Sequence, residues 1–496
     1  MRINATSFIC LKRARQGFVL LAVLVFILLL SMVTLSLLFR SKGDESAGFA
    51  TIRSEQAWAS AMSGVEEAMR VAGAAVPGDT GWQDDASTFK ARPVYLDGGE
   101  QWYFTVFTPA EADALVDTRY GLSDAAAFIN LNHPGKADLT KLPNFSTSLA
   151  SALRQFIGVT FASPTAGASS NAPTPSDFSS NVSPANGADV TSSTTGNPIP
   201  YHGPLATLDE LLLLPGVTPA LLHGAPPVID LTIAPSTTNQ GPQLPMEFSK
   251  PKRDRGMEQY FTVFGRDPNL SSRHQTRCNI NDTNSAYPAC DLPAGFSNYV
   301  AAVRATGTQL EDISQALEAT IKLKDERGVD VEIASEITKE NLPTLLDLFA
   351  TDGEAGHDGR INVNTANAAV LATQPGIDVP LAESIVSTRT GLNADRRATI
   401  AWLYQEGLVD ADKFKIVAPN LTTRSAQFRF NVIGYSLPAG NFRVLDAVID
   451  AAGSAPRIVY LRDITRLGLP ISLKEENPAS VDGKSGSTSS SSAPHG

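Results

Sequence analysis

Phe18-Val-Leu-Leu-Ala-Val-Leu-Val-Phe-Ile-Leu-Leu-Leu-Ser-Met-Val-Thr-Leu-Ser-Leu-Leu-Phe39 runs for 22 residues without a charged side chain. At 1.5 Å per residue, a helix of this length crosses the hydrocarbon core of a bilayer. The flanks carry unequal charge: Arg2, Lys12, Arg13 and Arg15 precede the run with no acid, whereas Arg40 and Lys42 are offset by Asp44 and Glu45. The positive-inside bias therefore predicts a cytoplasmic segment 1–17 and export of everything after residue 40.

Three interpretations of this segment compete. A cleaved secretory signal is disfavoured because the apolar run is too long and no Ala-x-Ala site precedes Arg40. A plain single-span anchor needs nothing more than the run itself. The third interpretation rests on the junction Arg15-Gln-Gly17-Phe18, which resembles the type III signal of prepilins and pseudopilins. That resemblance implies cleavage after Gly17 on the cytoplasmic face, with Phe18 as the first mature residue and the apolar segment retained.

The overall composition is that of a globular chain with material for two or three domains. Its 496 residues are 43% apolar, with 40 Lys+Arg against 51 Asp+Glu and a net charge of −11. Collagenous, fully disordered and disulfide-stapled classes are excluded, and the acidic balance disfavours a general nucleic-acid coat. Removal of the basic leader would shift the net charge to −15. Residues 162–200 and the tail from Asn477 are polar and small, which predicts disorder.

Beyond the membrane the pattern predicts a continued amphipathic helix and then a hairpin. Apolar residues recur at helical spacing as Phe49, Ile52, Ala59, Met62, Val65, Met69 and Ala72. Two β-rich runs within 92–107 flank Asp97-Gly-Gly99. The pentapeptide Tyr103–Phe107 recurs as Tyr260–Phe264. Asn-x-Asn occurs at 130–132, 279–281 and 362–364, and such Asn side chains suit turn and capping positions.

Residues 371–389 form a helix-hairpin-helix pattern. A first helix is predicted to end at Pro375-Gly376, and a second to turn Leu381, Ala382, Ile385 and Val386 inward. Residues 208–222 are a weaker relative. In DNA-binding versions the hairpin N–H groups meet a phosphate. Here Asp378 and Glu383 occupy the hairpin region and basic residues are sparse, which favours a packing unit.

We predict no enzyme and no cofactor, because the six His show no metal-ligand spacing and no nucleophile, P-loop or dinucleotide motif occurs. The Gly-rich loop 352–360 has oxygen ligands that could hold Ca²⁺, but it lacks the terminal Glu of an EF-hand, so a solvated acidic turn is favoured. Cys278 and Cys290 could close a disulfide worth roughly 3 kcal/mol in an oxidising compartment, the alternative being two unpaired thiols.

Taken together, the chain resembles the K-type minor pseudopilins of type II secretion, also called general secretion pathway protein K. The matching pieces follow the family's order: Gly17-Phe18, 120–124 with 129–132, 205–218, 361–366 with its hairpin, 422–430 and 457–462. Most pilins have Glu at the fifth mature position, where this chain has Ala22; its absence marks the K subunit. The insertion at 162–200, the piece around 240–300 and the long tail depart from the family.

The resemblance implies an α+β pseudopilin fold: a long N-terminal transmembrane helix packed on an antiparallel sheet, with a large inserted helical domain containing helix-hairpin-helix units. The implied divisions are a leader (1–17), a transmembrane helix (18–39), the first part of the body (40–110), the insertion (111–422), the last strands (423–476) and a disordered tail (477–496).

The implied function is a subunit at the tip of the periplasmic pseudopilus that initiates or caps assembly for export of folded proteins. Its implied partners are the I and J minor pseudopilins, the prepilin peptidase and the inner membrane, with no nucleic acid. The implied location is a single pass through the inner membrane with most of the chain in the periplasm, and the mature N-terminus would be methylated. The alternative is a membrane-anchored helix-hairpin-helix DNA-binding protein of a DNA-uptake machine.

Overall fold

The computed structural model describes residues 11–110, 118–143, 145–158, 203–224, 255–324, 330–453 and 455–468, with side chains from Val19 onward. The polar insertion at 162–200 and the tail at 477–496 lie outside these ranges. Within them the protein is a mixed α+β structure with one long N-terminal helix and an antiparallel sheet.

The α-helices are α1 Leu11–Ala74, α2 Ala86–Phe89, α3 Thr147–Ile157, α4 Pro219–His223, α5 Ala294–Thr306, α6 Leu342–Leu348, α7 Ala368–Ala372, α8 Val379–Arg389, α9 Ala394–Arg397, α10 Trp402–Gln405 and α11 Ala411–Val417. Short 3₁₀ helices occur at Gly81–Gln83, Ala125–Ala127, Leu139–Lys141, Leu208–Leu213, Gly256–Gln259, Ile313–Ala316, Ala418–Asn420 and Thr465–Leu467. Side chains cap many of the α-helices by accepting a hydrogen bond from the N–H three residues on, as Ser146, Asn367, Asp378, Asn393 and Asp410 do.

The strands are β1 Arg92–Asp97, β2 Glu100–Pro109, β3 Thr118–Arg119, β4 Ser123–Asp124, β5 Ile129–Asn130, β6 Phe261–Thr262, β7 Arg266–Pro268, β8 Cys278–Asn279, β9 Thr320–Lys324, β10 Asp330–Ala334, β11 Phe349–Ala350, β12 Gly356–Asp358, β13 Ile361–Asn362, β14 Leu421–Thr422, β15 Gln427–Leu437, β16 Phe442–Asp450 and β17 Arg457–Asp463.

The main sheet combines the first strands of the chain with the last. Its order is β1-β2-β15-β16-β17, all antiparallel, with β3 added to β2 and β4 added to β15. The hairpin predicted around residues 97–99 is confirmed: Gly98 and Gly99 take φ of +57° and +89°, a turn conformation that glycine adopts without steric cost.

The upper part of α1 covers one face of this sheet. Its buried residues are Ala57, Ala61, Val65, Ala68 and Ala72, which pack against sheet residues such as Phe430 and Val432. The predicted apolar stripe is therefore only partly right. Val65 and Ala72 are buried, whereas Phe49, Ile52 and Ala59 are exposed. The apolar residues do recur at helical spacing. The face that packs on the sheet, however, contains small residues one position away in sequence, and these let the helix backbone approach the sheet closely.

The opposite face of the sheet is also apolar, with Phe107, Ile433, Tyr435 and Val444 buried there. Beyond the sheet, a larger core is built from residues between Ile129 and Leu421, and it includes the buried faces of α3, α5, α7 and α8. The chain thus leaves the sheet after its first strands, builds a second apolar core and returns to complete the sheet.

Candidate functional site

The lower part of α1 is the clearest functional feature. It is the one helix among the described residues that is long and apolar enough to cross a membrane, and this window is unburied. Its 22 uncharged residues span about 33 Å, close to the thickness of a hydrocarbon core. The segment is compatible with a single-pass anchor; a signal sequence near an N-terminus would satisfy the same criteria of length and composition.

The predicted processing junction lies inside this helix. α1 begins at Leu11 and continues through Gly17 and Phe18, whose side chains lie outside the described part. Ala22 is exposed on the same helix. Cleavage after Gly17 remains a prediction.

Polar contacts join α1 to the sheet at the point where the exposed part of the helix, residues 19–53, meets the part packed on the sheet. Arg53 pairs with Glu100 at 3.1 Å, and Gln56 donates to Asp97 at 2.7 Å. On the neighbouring side, Arg443 Nε donates to the hydroxyl of Ser54 at 3.0 Å. These contacts connect one short stretch of the helix to β1, to β2 and to β16. Polar contacts therefore join the helix to both sides of the sheet at this point.

The predicted hairpin segment folds as two helices joined by a tight turn. α7 and α8 flank Gly376, which takes a φ of +77°, although α7 already ends at Ala372, before the predicted Pro375-Gly376. Of the four positions predicted to face inward, Leu381, Ala382 and Ile385 are buried and Val386 is half-buried. Lys141 Nζ donates to the carbonyls of Ala372 at 2.9 Å and Ile377 at 3.3 Å. The turn is therefore held from one side by this lysine.

The three Asn-x-Asn tripeptides occupy equivalent places, because each begins at the last residue of the first strand of a short parallel pair. The pairs are β5 with β6, β8 with β11 and β13 with β14. In every copy the first Asn accepts from the N–H of the second Asn at 2.9 Å. The predicted turn chemistry is confirmed, and the structure adds a threefold internal repeat that the sequence had only suggested by these tripeptides.

The third copy differs from the other two in the hydrogen bonds made by its second Asn. Asn132 both accepts from the N–H of Leu205 and donates to its carbonyl, and Asn281 does the same with Leu310. Asn364 donates to the carbonyl of Arg397, but its buried Oδ1 has no hydrogen-bond partner among the described residues. The N–H of Arg397 is instead used inside α9.

Cys278 and Cys290 both lie beside Tyr287 in the second copy of the repeat. Cys278 is buried and Cys290 half-buried, and both are free thiols in the structure, which does not contain the disulfide that the sequence allowed. Tyr287 neighbours both thiols, and burial together with these neighbours raises the pKa of its phenol. Ser285 donates to Cys278 Sγ at 3.6 Å.

In the Gly-rich loop proposed for Ca²⁺, two carboxylates are directed at imidazoles. Asp352 Oδ1 lies 3.6 Å from His357 Nε2, and Asp358 Oδ2 lies 3.8 Å from His133 Nε2. Burial, together with the nearby Arg360, lowers the pKa of His357. Asp352 Oδ1 also accepts from the backbone of Glu354 at 3.1 Å, an ordinary turn contact. The Ca²⁺ assignment remains a prediction.

A carboxylate–imidazole cluster was not predicted from the sequence. Asp209, His223 and Glu258 each place one potential ligand atom within 4.8 Å of the others. His223 Nδ1 lies 2.7 Å from Glu258 Oε1, and Nε2 lies 3.5 Å from Asp209 Oδ1. No short spacing motif could have revealed this group, because each residue comes from a different helical segment.

A buried ionic network was also missed by the sequence analysis. Arg424 pairs with Asp347, and Arg360 pairs with the buried Asp267 at 3.1 Å. Burial and the neighbouring guanidinium of Arg424 lower the pKa of Arg277 to about 10. The network joins strands and loops around the second and third repeats.

Comparison with known proteins finds no match to this chain, either among protein-family models or among curated proteins. The features that define this chain are a long α-helix with an unburied apolar half, an antiparallel sheet under the other half, and a repeated structure inserted between the strands of that sheet.

Proposed function

We propose that this protein is a K-type minor pseudopilin, a subunit at the tip of a periplasmic pseudopilus that initiates or caps assembly for the secretion of folded proteins. The observation that carries the proposal is the division of α1 into an unburied apolar half and an upper half packed on an antiparallel sheet. A simple membrane anchor would not require one continuous helix that both crosses the membrane and packs on a sheet. A pilin-like subunit does, because it must assemble in the membrane and carry a folded body.

The position of the inserted region supports a role at the end of a filament. The sheet is made of strands from both ends of the exported chain, and the residues between them form a core of their own. A body enlarged in this way would obstruct stacking of a further subunit above it. The absence of Glu at position 22 fits the same assignment, since a tip subunit has no subunit above it to contact in the membrane.

The contacts around Gly376 favour a packing role for the helix-hairpin-helix pattern over the alternative of DNA binding. A Cβ at this glycine would lie 3.0 Å from Val417 Cγ1 and 3.1 Å from Ile416 Cγ2, so α11 packs against the turn. Lys141 is engaged with carbonyls of the same region, and Asp378 caps α8. A phosphate would meet a carboxylate and apolar side chains at this place.

The proposal is tested by the N-terminus of the protein extracted from membranes. Intact-mass analysis should find a chain that begins at Phe18 and carries one N-methyl group. Gly17→Val should retain the leader, whereas the matched change Gly43→Val, at a helical position with open space around it, should be processed normally. A wild-type chain that still begins at Met1, or one that has lost the apolar segment, contradicts the proposal.

A gel-shift assay at physiological salt tests the alternative function. Under the pseudopilin proposal the exported body does not bind duplex DNA with an affinity that depends on the turn at Gly376. Specific binding that is weakened by a change in this turn would favour the DNA-uptake protein instead.

A further inference from the structure

The cluster of Asp209, His223 and Glu258 has the composition of a metal site. The residues come from the 3₁₀ helix Leu208–Leu213, the last position of α4 and the 3₁₀ helix Gly256–Gln259. Their side chains are 44%, 36% and 29% exposed, so an ion could reach them from solvent. Within the described residues this is the group of at least three metal-ligating side chains that folding brings to ligand distances.

Backbone packing holds the donors in place. Gly256 has a φ of +56°, and a Cβ there would lie 2.5 Å from the carbonyl oxygen of Leu221 and 2.6 Å from the N of Gly224. The segment that carries Glu258 is therefore in direct backbone contact with the end of α4, next to His223. Close backbone contact of this kind limits how far the two ligands can separate.

Asp209 is oriented from the other side by the main sheet. Arg462 of β17 donates to Asp209 Oδ2 at 2.9 Å, while Asp209 Oδ1 is the oxygen near the imidazole. One carboxylate oxygen is thus held by a guanidinium, and the other remains available to an ion. A charged hydrogen bond to the second oxygen is the kind of outer contact that orients metal-ligating carboxylates.

The donor set selects the class of metal. One imidazole nitrogen and two carboxylate oxygens suit Zn²⁺ and its first-row neighbours, whereas Ca²⁺ requires six to eight oxygens. Glu258 now faces Nδ1 of His223 and Asp209 faces Nε2, so an ion on one of these nitrogens requires the carboxylate beside the other nitrogen to turn toward it. The partial exposure of all three side chains leaves room for this rotation. We propose that Asp209, His223 and Glu258 bind one Zn²⁺, with a fourth position open to water.

This ion would link the helical insertion to the outer strand of the sheet through Arg462. The inference does not depend on the pseudopilin assignment, because it uses only the donors and their geometry.

The test uses full-length protein in detergent, stripped with a chelator and titrated with ZnCl₂ by calorimetry. We expect one equivalent of Zn²⁺ to bind. Co²⁺ should give the visible absorption of a tetrahedral N/O site. His223→Ala, and separately the isosteric Asp209→Asn and Glu258→Gln, should each weaken binding by more than about tenfold.

The matched control is His133→Ala, since His133 faces a single carboxylate, that of Asp358, at 3.8 Å. It should leave the zinc affinity unchanged. The proposal is overturned if the wild type binds no zinc, or if binding survives in Glu258→Gln and Asp209→Asn with unchanged affinity. If His223→Ala does not fold, the two isosteric variants decide the question.

Discussion

Gly434, in the middle of β15, should be among the least replaceable residues of the protein. A Cβ at this position would lie 2.2 Å from the carbonyl oxygen of Ala57 and 2.3 Å from the N of Ala61, both backbone atoms of α1. Neither atom can rotate away as a side chain could. Gly434→Ala therefore requires the helix as a whole to move away from the sheet.

The size of the effect follows from that displacement. Real Cβ atoms essentially never approach another heavy atom within 3.0 Å, so α1 must recede by about 1 Å. A gap of this width forfeits roughly a quarter to a half of the dispersion energy of each facing contact. Because Ala61, Val65 and Ala68 all pack on the sheet near this point, we expect a loss of about 2–4 kcal/mol in the free energy of unfolding.

The assay is urea unfolding of the detergent-extracted protein followed by tryptophan fluorescence, since Trp82 and Trp102 are buried in the body to which α1 and β15 belong. The matched control is Gly48→Ala in the exposed part of α1, where a Cβ meets nothing within 4 Å. That change should stabilise the helix by about 0.5–1 kcal/mol. A Gly434→Ala protein whose stability lies within about 0.5 kcal/mol of wild type would refute the close-packing argument.

Three further predictions concern the inserted region and its junction with the sheet. Asn132→Ala should cost about 2–3 kcal/mol and Asn364→Ala about 1 kcal/mol, because Asn132 makes bonds through both its amide atoms whereas Asn364 Oδ1 has no partner among the described residues. Equal losses in denaturant unfolding would contradict this difference in hydrogen bonding between the two copies. Burial raises the pKa of the fully buried Asp124 carboxyl, so the folded state binds its proton more tightly than the unfolded chain and stability falls as pH rises above 3.8. Asp124→Asn should flatten this part of the pH profile of the urea midpoint, and an unchanged slope would contradict it. Gly376→Ala should lose about 1–3 kcal/mol by thermal unfolding, because its φ is positive and Val417 closes the space; an unchanged melting temperature would argue that the turn relaxes freely.

The elements that the sequence predicts well are those encoded by local patterns. The apolar run, the glycine turn at 98–99 and the inward positions of α8 depend on residues close together in the chain. The register of α1 on the sheet was missed, because Phe49 and Ile52 satisfy the helical period as well as the small residues that are actually buried. Close packing of α1 depends on Gly434, which is far away in sequence.

The pentapeptide shared by residues 103–107 and 260–264 shows most clearly how far local sequence alone predicts structure. The first copy lies within the long strand β2, whereas the second contributes only the two-residue β6. Five identical residues thus adopt different lengths of strand, because their neighbours in space differ. The carboxylate–imidazole cluster could not be predicted for a similar reason: its residues come from three segments that meet only after folding.

The pairing of β2 with β15 has a consequence for the order of events during folding. Val106 and Val432 are register partners, yet about three hundred residues separate them along the chain. A chain that is synthesised from its N-terminal end must hold an unfinished sheet until its last strands are made. If the intervening core collapses first, it brings the two strands together and shortens the effective loop, which accelerates the final pairing. The last strands would then complete the sheet only after the inserted core has formed.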